Sequence, residues 1–167
     1  MGRLKRIGKG AYSKVYEHPL KADYVLILSR DTFKEMLAES ISYFSEACLV
    51  HIPELTYVGA LDYDLVYECK RYARLTKKHW PKAYADYLEI KRCMNAPPYN
   101  FATKLAYLVH SSVEHNKALA ALWEFSNIVA TSYQRALLDY AKRNFMVNPD
   151  TGELVLNDLF FSAANLS

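Results

Sequence analysis

The chain lacks any long apolar run and any strong excess of one charge. None of its 167 residues lies in an uninterrupted apolar stretch approaching 18, so we expect no membrane-spanning helix and no membrane partner. The formal net charge is only +3, and the charged residues are scattered, so direct nucleic-acid binding is not expected either. The basic start, MGRLKRIGKG, is not followed by an apolar segment, which favours a cytoplasmic protein over a secreted one.

Cysteine and glycine are also scarce. The three cysteines, Cys48, Cys69 and Cys93, are too widely spaced for a metal-ligand motif, and free thiols are the simplest expectation. The composition, with 51% hydrophobic and 23% charged residues, is sufficient for a substantial core. A chain of this length fits one domain or two small lobes.

The first half of the chain has the pattern of a β-rich lobe. Short apolar runs bounded by turn residues predict strands, and Asp31 is a predicted N-cap for a helix with apolar residues continuing to Phe44. Gly59 is read as a break between two strands. The predicted order over residues 1–70 is β-β-β-α-β-β, with the strands at residues 7–16 (a hairpin), 24–28, 55–58 and 65–68.

The second half, residues 71–167, is predicted to be mainly helical. One helix is expected over residues 80–94, and one or two more over residues 101–138. The turn Asn-Pro-Asp-Thr-Gly at 148–152 then predicts a β-hairpin. Together the two halves predict an α+β fold.

Two of the five glycines, Gly8 and Gly10, lie in one predicted turn between strands. Glycines there would let backbone amides approach phosphate oxygens without obstruction by a Cβ. No helix follows directly, which excludes the dinucleotide-binding and Walker loops. Taken alone, such a turn is more often only a hairpin.

Three polar residues near the end of the chain form a second pattern. Asp139 is followed five residues later by Asn144, and Asp158 follows after the predicted hairpin. In phosphoryl-transfer sites the first carboxylate orients an attacking hydroxyl, and the other two groups hold magnesium on the phosphates. The alternative is that all three are ordinary turn residues.

The glycine turn followed by this trio resembles a protein kinase. GKGAYSKVY resembles the glycine-rich loop, LLDYAKRN (137–144) the catalytic loop, and NDLF (157–160) the start of the metal-binding segment. Within the kinases, the chain is similar to the early protein kinases of short-tailed lytic bacteriophages, which are associated with shut-off of host transcription. The resemblance implies a two-lobed fold with a β-rich N-terminal lobe (1–70) and an abbreviated helical C-terminal lobe (71–167).

The resemblance also implies roles for individual residues, with ATP and Mg²⁺ as cofactors. Asp139 would be the catalytic base, and Asn144 and Asp158 would hold the metal. The nucleotide would be bound by the glycine turn, by a residue packing on the adenine, and by backbone groups of a hinge at 68–70: Gly8, Gly10, Val15, Glu68 and Lys70.

Two departures leave the activity open. The lysine that kinases carry on their third strand would fall on Ile27 or Leu28, and Ala141 stands where the catalytic loop usually has a basic residue. One hypothesis is therefore an active Ser/Thr kinase that modifies host proteins in the host cytoplasm. The other is a catalytically degenerate relative that inhibits a host protein by binding it, with the tyrosine-rich residues 72–107 as its contact surface.

Overall fold

A computed structural model describes residues 4–95, 116–132 and 136–162 of the chain. The fold is of the mixed α+β class that the sequence predicts. The chain divides into two compact units, the first made of Met1–Ser42 and Pro53–Arg71 and the second of Tyr43–Ile52 and Tyr72–Ser167. The chain passes from the first unit to the second between Arg71 and Tyr72, one residue after the boundary expected at residue 70. The short segment Tyr43–Ile52, however, belongs to the second unit although it lies in the first half of the sequence.

The first unit is built on a five-stranded antiparallel sheet. Its spatial order is β1-β2-β3-β5-β4, and helix α1 (Thr32–Ser40) comes between β3 and β4 in the chain. The strand bounds are β1 Arg6–Lys9, β2 Ser13–Glu17, β3 Tyr24–Ser29, β4 Leu55–Leu61 and β5 Asp64–Lys70. The predicted order β-β-β-α-β-β is therefore confirmed for this part of the chain.

Helix α1 (Thr32–Ser40) begins where the sequence predicts. The side chain of Asp31 accepts a hydrogen bond from the backbone N–H of Phe33 at 3.0 Å, which satisfies one of the unpaired donors of the first turn. The helix ends at Ser40 and is followed by a 3₁₀ turn, Ile41–Tyr43, so the prediction of a helix continuing to Phe44 is wrong. Phe44 belongs to the second unit, where it packs edge-on against Phe125.

Gly59 does not break the strand, contrary to the prediction. It lies inside β4 with φ +151°, at an irregularity in the pairing of β4 with β5. Glycine tolerates this backbone conformation, so the strand continues through a bulge. The chain reverses instead at Asp62, whose φ is +55°.

The described residues of the second unit form three α-helices and several short strands. Its helices are α2 (Glu46–Leu49), α3 (Pro81–Asn95) and α4 (Lys117–Ser132). The strands β6 (Ala73–Arg74), β8 (Phe145–Val147) and β9 (Leu154–Leu156) form one small sheet, and β7 (Ala136–Leu138) pairs with β10 (Phe160–Ser162) in another. The predicted hairpin is confirmed, because β8 and β9 pair in register around the 148–152 turn.

The prediction of helix over residues 101–138 holds only in part. Helix α4 covers Lys117–Ser132, and its inward positions Leu119, Leu122 and Val129 are almost fully buried. Residues 136–138 form a strand instead, because β10 supplies a partner from far along the chain. The part of this prediction that concerns residues 101–115 lies outside the described residues, as do residues 96–107 of the expected contact surface.

The three cysteine thiols are free and buried, as expected for a protein without disulfides. In the described ranges, no helix has both the length and the apolar character required to cross a bilayer.

Candidate functional site

The glycine turn of the first unit lies between β1 and β2. Gly8 is directly opposite Val15, and a Cβ on Gly8 would lie only 3.3 Å from the Val15 Cβ. Glycine at this position is therefore explained by close strand packing. The backbone N–H of Gly10 donates to the carbonyl of Ser13 at 2.8 Å and closes the turn, so it is already used.

Gly10 itself has no comparable structural requirement. Its φ is not positive, and a Cβ there would meet only the Ser13 carbonyl oxygen, at an ordinary 3.9 Å. The position would accept a side chain without strain. An absent side chain at an exposed turn leaves room for a ligand to approach the backbone.

Val15 lies in a row of apolar side chains on one face of the sheet. It is opposite Ile27 of β3, which is in turn opposite Tyr67 of β5. Directly opposite residues on antiparallel strands share a face, so these three side chains are neighbours. Ile27 thus occupies an apolar position, and neither Ile27 nor Leu28 is the basic residue that the resemblance implies on this strand.

The basic side chains around β3 are engaged with acids elsewhere on the sheet. Arg30 Nε donates to Asp64 at 2.6 Å, and Lys14 lies 3.7 Å from the same carboxylate. These two contacts, the hydrogen bond from Arg30 first, lower the pKa of Asp64. The three charged residues line a cavity of about 280 Å³ beside the glycine turn, and Gly10 and Leu28 also line it.

Glu68 and Lys70 lie in β5, which is paired on both sides. Glu68 is opposite Leu26 on β3 and Thr56 on β4, and the backbone N–H of Lys70 donates to the Glu54 carbonyl at 3.3 Å. A backbone N–H that donates within a sheet is not available to bond the edge of an adenine. In this conformation the segment 68–70 is therefore a central strand and does not present the open hinge that the resemblance implies.

The side chain of Glu68 is likewise engaged. Its carboxylate accepts hydrogen bonds from Lys21 Nζ at 2.7 and 2.8 Å and lies 3.0 Å from His18 Nε2. The Lys21 hydrogen bond is the main reason why the pKa of Glu68 is lowered.

Asp139, in the second unit, lies between β7 and a 3₁₀ turn, Lys142–Asn144. Its backbone N–H donates to the carbonyl of Leu159 at 2.6 Å. One carboxylate oxygen accepts from the backbone N–H of Ala141 at 3.0 Å, and the other accepts from Arg143 at 2.8 Å. The carboxylate is about one-third exposed, so it is both oriented and accessible.

Asn144 connects the other two residues of the trio. Its side-chain Nδ2 donates to the Asp139 carbonyl at 2.9 Å, and its own carbonyl accepts from the backbone N–H groups of Asn157 at 3.0 Å and Asp158 at 3.4 Å. The trio predicted from spacing is therefore brought together by backbone and amide hydrogen bonds. Because Nδ2 is bound to a carbonyl, Oδ1 is left as the side-chain group that could ligate a cation.

The chemistry of these groups fits magnesium. Mg²⁺ prefers oxygen ligands and is commonly bound by one or two carboxylates together with phosphates and water. Asn144 is buried and Asp158 is half-buried, so two oxygen-bearing side chains are held on adjacent backbone. Among the described residues no group of three or more His, Cys, Asp and Glu is placed so that it could hold a metal ion.

Two basic residues of interest were missed by the sequence reasoning. Arg143 binds Asp139 from four positions along the chain, a spacing that the sequence does show. Lys34 is buried in α1, with its ammonium 3.8 Å from Asp31, and so brings a cation to the helix after β3. The sequence did contain a signal for the burial of Lys34, because it lies three residues before Leu37 of the apolar stripe and therefore on the same face of the helix.

In comparisons with known proteins, no family model matches the chain and no curated protein matches it.

Proposed function

We propose that the protein is a kinase-like phosphotransferase that transfers the γ-phosphoryl group of Mg·ATP to Ser or Thr residues of proteins. The observation that carries this proposal is the hydrogen-bonded cluster of Asp139, Asn144 and Asp158. A carboxylate, an amide and a second carboxylate on two adjoining loops are the groups that such transfer requires.

The first unit supports the same proposal. Protein kinases place a glycine-rich loop first, then a third strand, then a helix. Here the turn at Gly10 is followed in the same order by β3 and α1, and glycine at position 10 is not required by the fold. We assign Gly8, Gly10 and Val15 to the nucleotide; the assignment does not include residues 68–70, whose N–H groups are engaged in the sheet.

The proposed reaction uses Asp139 as the base. The substrate hydroxyl oxygen forms a bond to the γ-phosphorus, the bond from that phosphorus to the β–γ bridging oxygen breaks, and ADP leaves. The hydroxyl proton passes to the Asp139 carboxylate. Asn144 and Asp158 would hold magnesium, which neutralises charge on the phosphates, and Arg143 would supply the positive charge that Ala141 cannot.

The resemblance to the phage enzymes gives the proposal its biological setting. The substrates would be host proteins, and the protein would act in the cytoplasm of the infected cell. The natural assay is therefore to incubate the protein with host lysate and ATP and to measure phosphorylation of the host proteins.

A second function is favoured by the apolar row of Val15, Ile27 and Tyr67. A strand that offers no cation to the phosphates loses one preorganised charge, and losses of this kind cost about 10²–10³ in rate. A degenerate relative of this type would bind and inhibit a host protein without modifying it.

Phosphoryl transfer from labelled ATP to casein and to host lysate tests the two functions. The first predicts magnesium-dependent transfer that Asp139→Asn abolishes. Transfer that survives this substitution would contradict the assigned base. No transfer from a folded wild type, together with a stoichiometric host partner in a pull-down, would favour the inhibitor.

A further inference from the structure

A groove in the second unit begins at Asp139 and runs between α3 and the loop that follows β7. It encloses about 600 Å³. Its α3 wall consists of residues spaced three, four and seven apart, which places them on one face of the helix. The wall residues are Tyr84, Tyr87, Leu88 and Lys91 on α3 and residues 138–142 opposite.

The groove is lined by one buried tyrosine and one exposed leucine of α3. Tyr87 is buried and packs edge-on against Phe145, with ring centroids 5.0 Å apart. Leu88 is 47% exposed and adds an apolar side chain to the groove lining. An apolar surface of this kind, bordered by charged groups, is typical of a binding groove.

Two lysines contribute positive charge to the described lining of the groove. Its lining carries the ammonium groups of Lys91 and Lys142, and the Lys142 ammonium lies 5.0 Å from the centroid of the Tyr84 ring. Among the described lining residues the carboxylate is that of Asp139, which already accepts a hydrogen bond from Arg143. The acidic side chains of α3 are Asp86 and Glu89; neither is among the described lining residues, and Glu89 accepts a hydrogen bond from Asn116 at 2.9 Å.

We propose that this groove binds an acidic segment of a protein substrate next to the Ser or Thr that is phosphorylated. The inference rests on the proposed function, since it is that function which places the acceptor hydroxyl at Asp139. With the hydroxyl there, neighbouring substrate residues lie along the groove. Their carboxylates would meet Lys91 and Lys142, and their apolar parts would pack on Leu88 and the tyrosine rings.

The test uses the full-length protein and three fluorescent peptides with one central serine. The serine is flanked by Asp and Glu, by Ser and Gly, or by Lys and Arg. Binding is measured by anisotropy, and transfer is measured separately with Mg·ATP. The variants are Lys91→Glu and Lys142→Glu, with Lys78→Glu as the matched control, because Lys78 is an exposed lysine of the same unit outside the groove.

We expect the acidic peptide to bind tightest, and we expect each groove substitution to weaken it about tenfold or more while the control changes it less than twofold. Equal binding of all three peptides, an equal loss in Lys78→Glu, or displacement of the acidic peptide by an RNA oligonucleotide at similar concentration would overturn the inference. Selective binding without any transfer would leave the groove standing and remove the proposed function. Transfer without preference for acidic flanks would do the reverse.

Discussion

The pair of buried asparagines at 144 and 148 offers a matched test of the magnesium site. Asn144 is 7% exposed and Asn148 is 9% exposed, and both lie at the ends of β8. Each makes one side-chain hydrogen bond: Asn144 donates to the Asp139 carbonyl at 2.9 Å, and Asn148 accepts from the backbone N–H of Asp150 at 3.1 Å. Replacement by alanine removes one such bond in either case.

The two substitutions should therefore cost similar stability. A single intramolecular hydrogen bond contributes about 1 kcal/mol, which for a chain of this size lowers Tm by roughly 2–4 °C. Their effects on the nucleotide should differ. Magnesium nucleotide at a hundred times its dissociation constant adds about 2.7 kcal/mol, or roughly 5–11 °C, to the wild type.

If Asn144 supplies a metal ligand, Asn144→Ala should lose most of this increase. A hundredfold weaker affinity leaves only about 0.4 kcal/mol of stabilisation, or roughly 1 °C. Asn148→Ala should keep the full increase above its own lowered Tm. The assay is thermal unfolding of the three proteins with ATP, in magnesium and in chelator.

Two results would refute this reasoning. A full magnesium-dependent increase in Asn144→Ala would remove Asn144 from the metal site. An equal loss in Asn148→Ala would show that the substitutions act by loosening the hairpin.

Three further predictions follow from the contacts described above. Arg143→Ala removes an exposed ion pair and should change Tm by less than about 4 °C. It should nevertheless lower phosphoryl transfer, because it removes the positive charge beside Asp139. Unchanged transfer would exclude the role assigned to Arg143. Gly152→Ala places a Cβ on a residue with φ +74° and should lower Tm by roughly 2–4 °C. Gly10→Ala should leave Tm nearly unchanged but weaken nucleotide binding. Thermal unfolding with and without Mg·ATP measures both effects. The pKa of Glu68 is lowered in the folded state, so its ion pairs stabilise the protein above the unfolded pKa of about 4.3 and are lost as the pH falls through the folded pKa. The stability difference between wild type and Glu68→Gln, measured by urea titration, should therefore shrink from pH 6 to pH 3. A difference that does not depend on pH would contradict this prediction.

Local patterns in the sequence predicted most of the elements correctly. The apolar run of β3, the N-cap at Asp31 and the Asn-Pro-Asp-Thr-Gly turn each depend on interactions within a few residues, which the sequence displays directly. The approach of Asn144 and Asp158 was also predictable, because the short β8–β9 hairpin connects them.

Long-range partners could not be predicted in this way. Residues 136–138 continue a helical pattern, and only pairing with residues 160–162 makes them a strand. The engaged backbone of residues 68–70 depends on β3 and β4 lying on both sides of β5. In both cases tertiary contacts override the local preference.

The segment Tyr43–Ile52 has a consequence for the order in which the chain can fold during synthesis. Its flanks complete the first unit as soon as residue 71 has been made, but its own partners are encoded much later. Ser45 is bonded by Glu124, and the ring of His51 is bonded to the carbonyl of Leu154 at 2.7 Å. When residue 71 has been made, this segment still lacks both partners, since Glu124 comes 53 residues later and Leu154 comes 83 residues later (124 − 71 = 53; 154 − 71 = 83). For the same reason, a fragment beginning at residue 72 would lack Phe44, Cys48 and His51, so cutting the chain between its two halves would not yield an intact second unit.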